Sequence, residues 1–385
     1  MLEHAKARLR NLQDYMQDAG INVALLTDES TIAYYAGFWG YLSVDFGRPT
    51  FLIGSADGDP IVVTPLMESE MVTAMTWVPD VRTWEDSGPN HWDTVLAGIF
   101  GTLPRRLGVE KAVLPGLVRN WLESVSDSVE LTDVSPLVAK MRTVKSPFEI
   151  GIMKQAGMVA AAMMSAAQES LAEGVPEYEA ALAVINAGTR AGADFLTAKG
   201  WEQFVSPMIH NLQIMQSGMD TSMVHRRASV KKLEAGDPVY FCFCNMAQFK
   251  QYKLGFDRMF NISRVSDQAV DVQQTAIDAQ QAALGAVRPG VTAESVAEAA
   301  NEVYRDKGYA PSYRTGRSIG MAYLETPELK SGDSTVLQAG MTFAVDGGIS
   351  VDGQYGGRIG DSIVVTADGF EYLTEYPREV VVIDR

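Results

Sequence analysis

The sequence predicts a two-domain protein of the α+β class. Its 385 residues are enough for two domains of ordinary size, and 46% of them are hydrophobic, which is enough to give each domain a packed core. Short helices and strands alternate in the first part, whereas pairs of helices alternate with groups of strands in the second. We expect a smaller α/β domain over residues 1–139 and a larger α+β domain over residues 140–385.

Apolar spacing and turn residues define the elements of the first domain. Leu2–Ala19 predicts a helix that ends at Gly20, a residue type favoured just past helix ends. The apolar run Val23–Thr27 predicts a buried strand. Thr50–Gly54 and Ile61–Thr64 flank a turn and predict a hairpin. Further strands are expected at Val81–Trp84, Arg106–Glu110 and Val129–Thr132.

The second domain begins with a helix whose first turn carries its own start signal. Ser146 can cap the helix, Pro147 suits its first position, and Glu149 completes the pattern of a capping box. This Ala- and Met-rich helix extends to about Leu171. Downstream we expect a helix after Gly174, strands at Pro238–Cys244, Gln251–Asn261, Thr342–Val345 and Ser362–Thr366, and helices at Asp267–Ala286 and Val291–Gly308.

Charge and composition exclude several classes of partner. The net charge of −16 opposes binding to nucleic acid, whose phosphates would be repelled. No apolar run reaches 18 residues, so no membrane partner is expected. The only cysteines, Cys242 and Cys244, share one face of a strand, which predicts neither a disulfide framework nor a zinc site and favours the cytoplasm.

Five short blocks of the second domain resemble the creatinase/prolidase/methionine-aminopeptidase superfamily. Their order and spacing carry the resemblance more than any one block does. It implies the pita-bread fold for residues 140–385, and the N-terminal domain places the chain in the creatinase/prolidase branch. The blocks are Met141–Ile150, Leu233–Asp237, Val287–Gly290, Leu337–Met341 and Gly357–Asp361.

The positions that bind metal in peptidases of this superfamily are altered. Those peptidases hold two metals with carboxylates and a histidine, and the matching positions here are Cys244, Gly255, Ser318, Asp346 and Gly360. Asp346 alone keeps a carboxylate, whereas a site for two hard dications needs several anionic oxygens. The resemblance therefore implies an enzyme without a metal, and we expect no other cofactor.

The chain is instead similar to the metal-free branch, which includes creatinase and ectoine hydrolase. The spacing from Ser217-Gly218 to His225 matches creatinase, so His225 is the expected proton shuttle. Asp278 corresponds to a glutamate that grips the substrate guanidinium there. The block from Phe46 to Arg48 corresponds to one that reaches the substrate of the neighbouring subunit, which implies a homodimer with shared active sites.

Further substrate-binding residues follow from the matching blocks. Asp257 and Arg258 resemble a Glu-Arg pair of creatinase, and Ser318 lies in a Ser-Ile-Gly block also seen in ectoine hydrolase. Lys330 corresponds loosely to a pocket arginine. Asp346 and Arg358 complete the expected set. The second guanidinium-binding glutamate has no counterpart, because Ile359 and Gly360 stand there, so the cationic clamp is weaker than in creatinase.

We therefore expect a metal-independent hydrolase that cleaves a C–N bond of a small carboxylate-bearing amidine, guanidine or amide. One alternative is a non-catalytic small-molecule-binding homologue, which the missing glutamate favours. Another is a lyase of the same fold, although such lyases retain metal ligands. The candidate residues also have structural alternatives: Arg48 as a surface charge, Asp278 as an exposed helix residue, and the other histidines, His4, His91 and His210, as solvated or structural groups.

Overall fold

The computed structural model describes residues 2–40, 47–125, 129–200, 202–209, 214–244 and 246–385. The chain divides into two compact units, Met1–Met141 and Arg142–Arg385. The division lies two residues past the boundary expected at residue 139, within a helix that spans Ser135–Thr143.

The first unit is built on a six-stranded mixed sheet. Its strands are β1 Val23–Leu26, β2 Phe51–Ser55, β3 Ile61–Pro65, β4 Asp80–Trp84, β5 Arg106–Val109 and β6 Glu130–Asp133. They lie in the order β4-β3-β2-β1-β5-β6, and β2 pairs with β3 as the predicted antiparallel hairpin. The helices are α1 Leu2–Asp18, α2 Glu29–Ala36, α3 Ser69–Met75, α4 Trp92–Phe100, α5 Gly116–Val125 and α6 Ser135–Thr143.

The second unit is built on a nine-stranded sheet. Its helices are α7 Pro147–Ser170, α8 Glu177–Ala198, α9 Asp267–Ala286 and α10 Ala293–Asp306. Its strands are β7 Ile214–Ser217, β8 Pro238–Cys242, β9 Gln248–Phe249, β10 Tyr252–Lys253, β11 Asp257–Ile262, β12 Gly316–Ser318, β13 Glu325–Leu329, β14 Thr342–Val351, β15 Tyr355–Val365, β16 Phe370–Tyr372 and β17 Val381–Ile383. The main path is β13-β12-β14-β15-β11-β8-β7; β16 pairs with β15 and β17 with β11, while β9 and β10 form a separate pair.

Two local features fix the framework around the sheet. The predicted capping box is confirmed at α7, where the Ser146 side chain accepts from the Glu149 amide and the Glu149 carboxylate accepts from the Ser146 amide. Helix α9 lies so close to β14 that a Cβ on Gly347 would stand 2.0 Å from the Ala276 carbonyl oxygen. Only glycine allows this approach, which holds one face of the central strands against a helix.

Helix α7 is long and apolar enough to cross a membrane by length and composition, with a mean hydropathy of 1.3. Half of that stretch is buried inside the protein, and a core helix passes the same test. Its Ile152, Met153, Ala156, Val159 and Met163 side chains are buried at the spacing of one helix face.

Candidate functional site

A cavity of about 860 Å³ lies in the second unit, over the central strands of the sheet. Side chains from one face of β8, β11, β12, β14 and β15 line its floor, because alternate residues of a strand point to the same side. Segments 224–227 and 309–314 line its rim. The ionisable residues in the lining include His225, Asp257, Asp346 and five arginines: Arg226, Arg227, Arg314, Arg317 and Arg358.

Two carboxylates converge on one point of the cavity floor. In the sheet register Gly360 faces both Asp257 on β11 and Asp346 on β14. A Cβ built on Gly360 would lie 2.8 Å from Asp346 Oδ1 and 3.0 Å from Asp257 Oδ2. The absence of a side chain at position 360 therefore leaves room for the two acids to approach each other. The Tyr240 hydroxyl donates to Asp257 Oδ2 at 2.9 Å.

This environment favours the protonated form of one acid. Burial, followed by the negative charge of Asp346, raises the pKa of Asp257 to about 7, although Arg317 acts against the change. Asp257 is only 5% exposed. Burial and the charge of Asp257 also raise the pKa of Tyr240 well above its ordinary value, so the phenol stays a donor. A buried carboxyl with a pKa near neutrality is suited to general acid–base chemistry.

The Arg317 guanidinium is placed beside these acids and is only 2% exposed. Its Nη1 donates to Asp346 Oδ2, and its Nη2 lies 3.3 Å from Cys244 Sγ. The guanidinium carbon stacks 4.3 Å from the centroid of the Tyr323 ring. A Cβ built on Gly255 would lie 2.9 Å from Nη2, so the guanidinium occupies the space next to a residue without a side chain.

Cys242 and Cys244 are joined by a disulfide on the cavity floor. This disulfide contradicts the prediction that the two cysteines form no disulfide framework. Successive same-face residues of an extended strand are roughly 6.6 Å apart, whereas β8 ends at Cys242 and the chain turns, so the two Cα atoms lie 5.5 Å apart. The sulfur of Cys244 also lies 3.6 Å from Asp257 Oδ1.

Comparison with known families decides the relationship of the chain. The family described as "Metallopeptidase family M24" matches residues 151–367, and the "Creatinase/Prolidase N-terminal domain" matches residues 8–144. The chain belongs to the M24 family. The pita-bread fold with a smaller N-terminal domain, expected from the sequence, is confirmed.

The proteins to which this M24 chain is similar are named for different reactions. It is 28% identical to agropine synthesis cyclase of Rhizobium rhizogenes, with 96% of each chain covered. It is 26% identical to creatinase of Bacillus sp. (strain B-0618), covering 97% of this chain and 91% of that one. The crystal structure of a recombinant prolidase from Thermococcus sibiricus matches with a TM-score of 0.85 and 23% identity, over 98% of this chain and 99% of that one. The chain is thus a hydrolase or cyclase of the creatinase/prolidase family.

The residues at the M24 metal positions do not fit two dications. Gly255 and Gly360 supply no ligand, and Arg317 places a cation beside the remaining Asp346. Among the residues that the structure describes, the ligand atoms of Cys242, Cys244 and Asp257 lie within 4.8 Å of one another. While the disulfide is formed, both of those sulfurs are bonded to each other and not available to a metal.

His225 lies at the cavity rim, in a segment fixed by a buried carboxylate. The neighbouring Arg226 donates to both oxygens of Glu177, at 2.6 and 2.9 Å, and pairs with Asp220 at 2.8 Å. Burial acts to raise the pKa of Glu177, but hydrogen bonds from Arg226, Ser217 and Ser229 lower it below the ordinary value. Glu177 therefore stays ionised and anchors the loop segment that carries His225.

The structure brings some predicted residues into the cavity and leaves others outside. His225, Asp257, Asp346 and Arg358 line it. Phe46 lies outside the described residues. Arg48 belongs to the first unit, where it pairs with Asp86 at 2.7 Å.

Two predicted residues on the strands are placed away from the cavity because of strand alternation. Arg258 follows Asp257 and points to the other side of the sheet, where it donates to Asp361 Oδ1 at 2.8 Å and to the Pro377 carbonyl oxygen at 2.7 Å. Ser318 follows Arg317 in the same way and is fully buried. Their expected substrate contacts are therefore corrected.

Asp278 and Lys330 are also outside the cavity lining. Asp278 is exposed on α9 and accepts from Gln274 at 2.8 Å. The buried face of α9 instead presents Gln280, which donates to the Val345 carbonyl oxygen at 3.0 Å. Lys330 is substantially exposed and pairs with Glu328 at 2.6 Å. The guanidinium-binding role of Asp278 and the substrate contact of Lys330 are therefore corrected as well.

Sequence reasoning missed Arg317 and Tyr240. Arg317 stands in the block Gly316-Arg-Ser318, one residue before Ser318, which the sequence predicted to bind substrate. Tyr240 precedes Cys242 by two residues, so the two side chains share one face of the strand, and a site at Cys242 implies that Tyr240 also faces it. Period-two alternation was the signal that could have found them.

Proposed function

We propose that this M24 chain is a metal-independent hydrolase that cleaves a C–N bond of a small carboxylate-bearing compound. The observation that carries the proposal is the Arg317 guanidinium, which lies against Asp346 and Cys244 and beside the bare positions 255 and 360. The Arg317 guanidinium places a fixed positive charge beside Asp346 and Asp257. Such a preorganised charge is suited to stabilising an oxyanion during attack on a carbonyl carbon.

Asp257 is the proposed acid at the leaving nitrogen. With its pKa near 7 it holds a proton in part of the molecules at neutral pH and can pass it to the departing amine. In its ionised form it accepts a proton from the attacking water as the C–O bond forms, and it passes that proton to the nitrogen as the C–N bond breaks. His225 at the rim is a second proton shuttle, and general acid–base help is worth about 10²–10⁴-fold in rate.

The charge of the cavity favours an amide substrate over a guanidine or amidine. Arg317 lies where a cationic substrate group would need to approach Asp346, so like charges would be opposed. Arg358 donates to Ser350 at 2.8 Å, and its Nε has no hydrogen-bond partner in the described part of the chain. We assign Arg358 to the substrate carboxylate, because a planar guanidinium binds a carboxylate through paired hydrogen bonds.

A homodimer with shared active sites belongs to the proposal. It rests on the Phe46–Arg48 block, in which the Arg48 guanidinium would reach the carboxylate of a substrate bound to a second copy. Light scattering together with activity over a dilution series tests it. A monomer that retains full activity at assay concentration would contradict it.

A cyclase is the second candidate, and the similarity to agropine synthesis cyclase favours it. Both reactions transfer the same carbonyl carbon from nitrogen to another attacking group. Water as the attacking group gives hydrolysis, whereas a hydroxyl or amine of the same molecule gives a ring. Mass spectrometry of the product in water enriched in the heavy oxygen isotope separates them, since only hydrolysis incorporates the label.

Thermal-shift screening of small carboxylate-bearing amides identifies the substrate class. A ligand at 100 times its dissociation constant adds about 2.7 kcal/mol to the free energy of unfolding. Turnover of each hit is then measured before and after exhaustive chelation. The proposal expects equal turnover, and a loss that manganese, cobalt or zinc restores would show a prolidase-like metal-dependent enzyme instead.

A further inference from the structure

The cysteine pair stands among reactive groups of the cavity. Cys244 is 9% exposed and lines the cavity floor. Its sulfur lies 3.3 Å from Arg317 Nη2 and 3.6 Å from Asp257 Oδ1. Asp257 is also the cross-strand partner of Cys242, and its carboxylate lies within 4.8 Å of both sulfurs. Among the described contacts, the Arg317 guanidinium meets the sulfur of Cys244 and not that of Cys242. The two cysteines therefore differ in surroundings although they share a disulfide and a strand end.

The surroundings of Cys244 suit a nucleophile. A thiolate, not a thiol, attacks carbonyl carbon, and a nearby cation stabilises the thiolate. Covalent catalysis also needs a group that moves a proton to the leaving atom, and Asp257 Oδ1 lies 3.6 Å from the sulfur. Arg317, Cys244 and Asp257 thus bring a cation, a sulfur and an acid together on the cavity floor.

We propose that Cys244 is the covalent nucleophile of this enzyme and that the Cys242–Cys244 disulfide is its resting, inactive form. The inference rests on the proposed amide cleavage and names the group that attacks first. A small dithiol reductant opens the disulfide: its two thiols are oxidised to a disulfide, and Cys242 and Cys244 are reduced to thiols.

The catalytic cycle balances without a metal. The Cys244 thiolate attacks the amide carbon, a C–S bond forms, and the C–N bond breaks as Asp257 gives its proton to the nitrogen. Water then attacks the thioester and gives a proton to Asp257. The C–S bond breaks, and the thiolate, the protonated Asp257 and a carboxylic acid result. In a cyclase, a hydroxyl or amine of the substrate would replace water in the second step.

Two single substitutions form a matched pair that tests the inference without a known substrate. Cys242→Ser removes the disulfide and keeps Cys244, whereas Cys244→Ser removes the disulfide and keeps Cys242. Each variant has one buried cysteine in the same cavity. The rates of alkylation by iodoacetamide, and of acetylation by p-nitrophenyl acetate, are followed by mass spectrometry of the folded proteins.

The inference predicts that wild type reacts at Cys244 only after dithiothreitol is added. Cys242→Ser reacts without reductant, and about tenfold or more faster than Cys244→Ser, because only its thiol has the Arg317 contact. Equal rates in the two variants, or wild-type labelling that does not depend on reductant, would overturn it.

Turnover measurements on the same variants form a second test, which can refute the nucleophile without refuting the proposed function. On an amide found by screening, Cys244→Ser in dithiothreitol should lose turnover by at least about 10²-fold, and Cys242→Ser should be active without reductant. Full turnover by Cys244→Ser that resists chelation would refute the nucleophile and leave metal-independent hydrolysis in place. Turnover abolished by chelation in every variant would refute the proposed function itself.

Discussion

Replacing Asp257 with asparagine should change how stability depends on pH. Folding holds the pKa of Asp257 at about 7, against an ordinary value of 3.8. The folded state therefore binds a proton more tightly than the unfolded state. The stability that this proton provides is present at pH below 3.8 and is lost as pH rises through about 7.

The size of the effect on the free energy of unfolding follows from the folded and ordinary pKa values of Asp257. Between pH 5 and pH 8 this carboxyl should lower the free energy of unfolding by roughly 2.5 kcal/mol. Asp257→Asn keeps an oxygen that can accept from Tyr240 and carries no charge. The variant should therefore lose much of this pH dependence and should be more stable than wild type at pH 8.

Urea unfolding, followed by circular dichroism across this pH range, measures the difference. Asp278→Asn is the matched control, because Asp278 is an exposed carboxylate in the same unit. Its pH profile should follow that of wild type. If Asp257→Asn retained the wild-type slope, the reasoning about a protonated acid at the cavity floor would be refuted.

Three further variants test other parts of the site. His225→Ala should lower kcat by about 10²–10⁴-fold with fold retained, and near-full turnover across neutral pH would remove its role as proton shuttle. Arg358→Ala should mainly raise KM, because the carboxylate is gripped before and during reaction, whereas Lys330→Ala as control should leave both constants unchanged. Glu177→Gln should destabilise the protein by about 1–3 kcal/mol in urea, because it weakens the charge-assisted hydrogen bonds from Arg226, Ser217 and Ser229 while Asp220 still pairs with Arg226; an unchanged unfolding midpoint would show that this carboxylate does not anchor the segment.

Elements of the fold were predictable where a sequence pattern within one helical turn marks the end of a helix. The capping box at Ser146 and the bounds of α9 follow from residues within one turn of the chain. Strands β14 and β15 were predicted too short, at Thr342–Val345 and Ser362–Thr366. Glycines at 347, 348, 356, 357 and 360 interrupt their apolar pattern, although close packing against α9 and the neighbouring strands requires several of them.

The site was predictable in part. Homologous blocks placed Asp257 and Asp346 in the cavity but also selected Arg258 and Ser318, which strand alternation directs elsewhere. Asp278 was selected by correspondence with a creatinase glutamate, but the helix turns that residue to solvent. The place of Arg317 depends on a long side chain that crosses from β12 to the bare position 255. No local pattern of the sequence encodes that contact.

Metal content and thermal unfolding, measured on one preparation, show whether Arg317 and the altered ligand positions replace metal chemistry. Elemental analysis and the unfolding temperature are measured on protein as purified, after chelation, and after addition of excess manganese, cobalt or zinc under nonreducing conditions. We expect substoichiometric metal and an unfolding temperature that none of these treatments changes. A stoichiometric transition metal whose removal lowers the unfolding temperature, and whose return restores it, would show that the enzyme depends on metal after all.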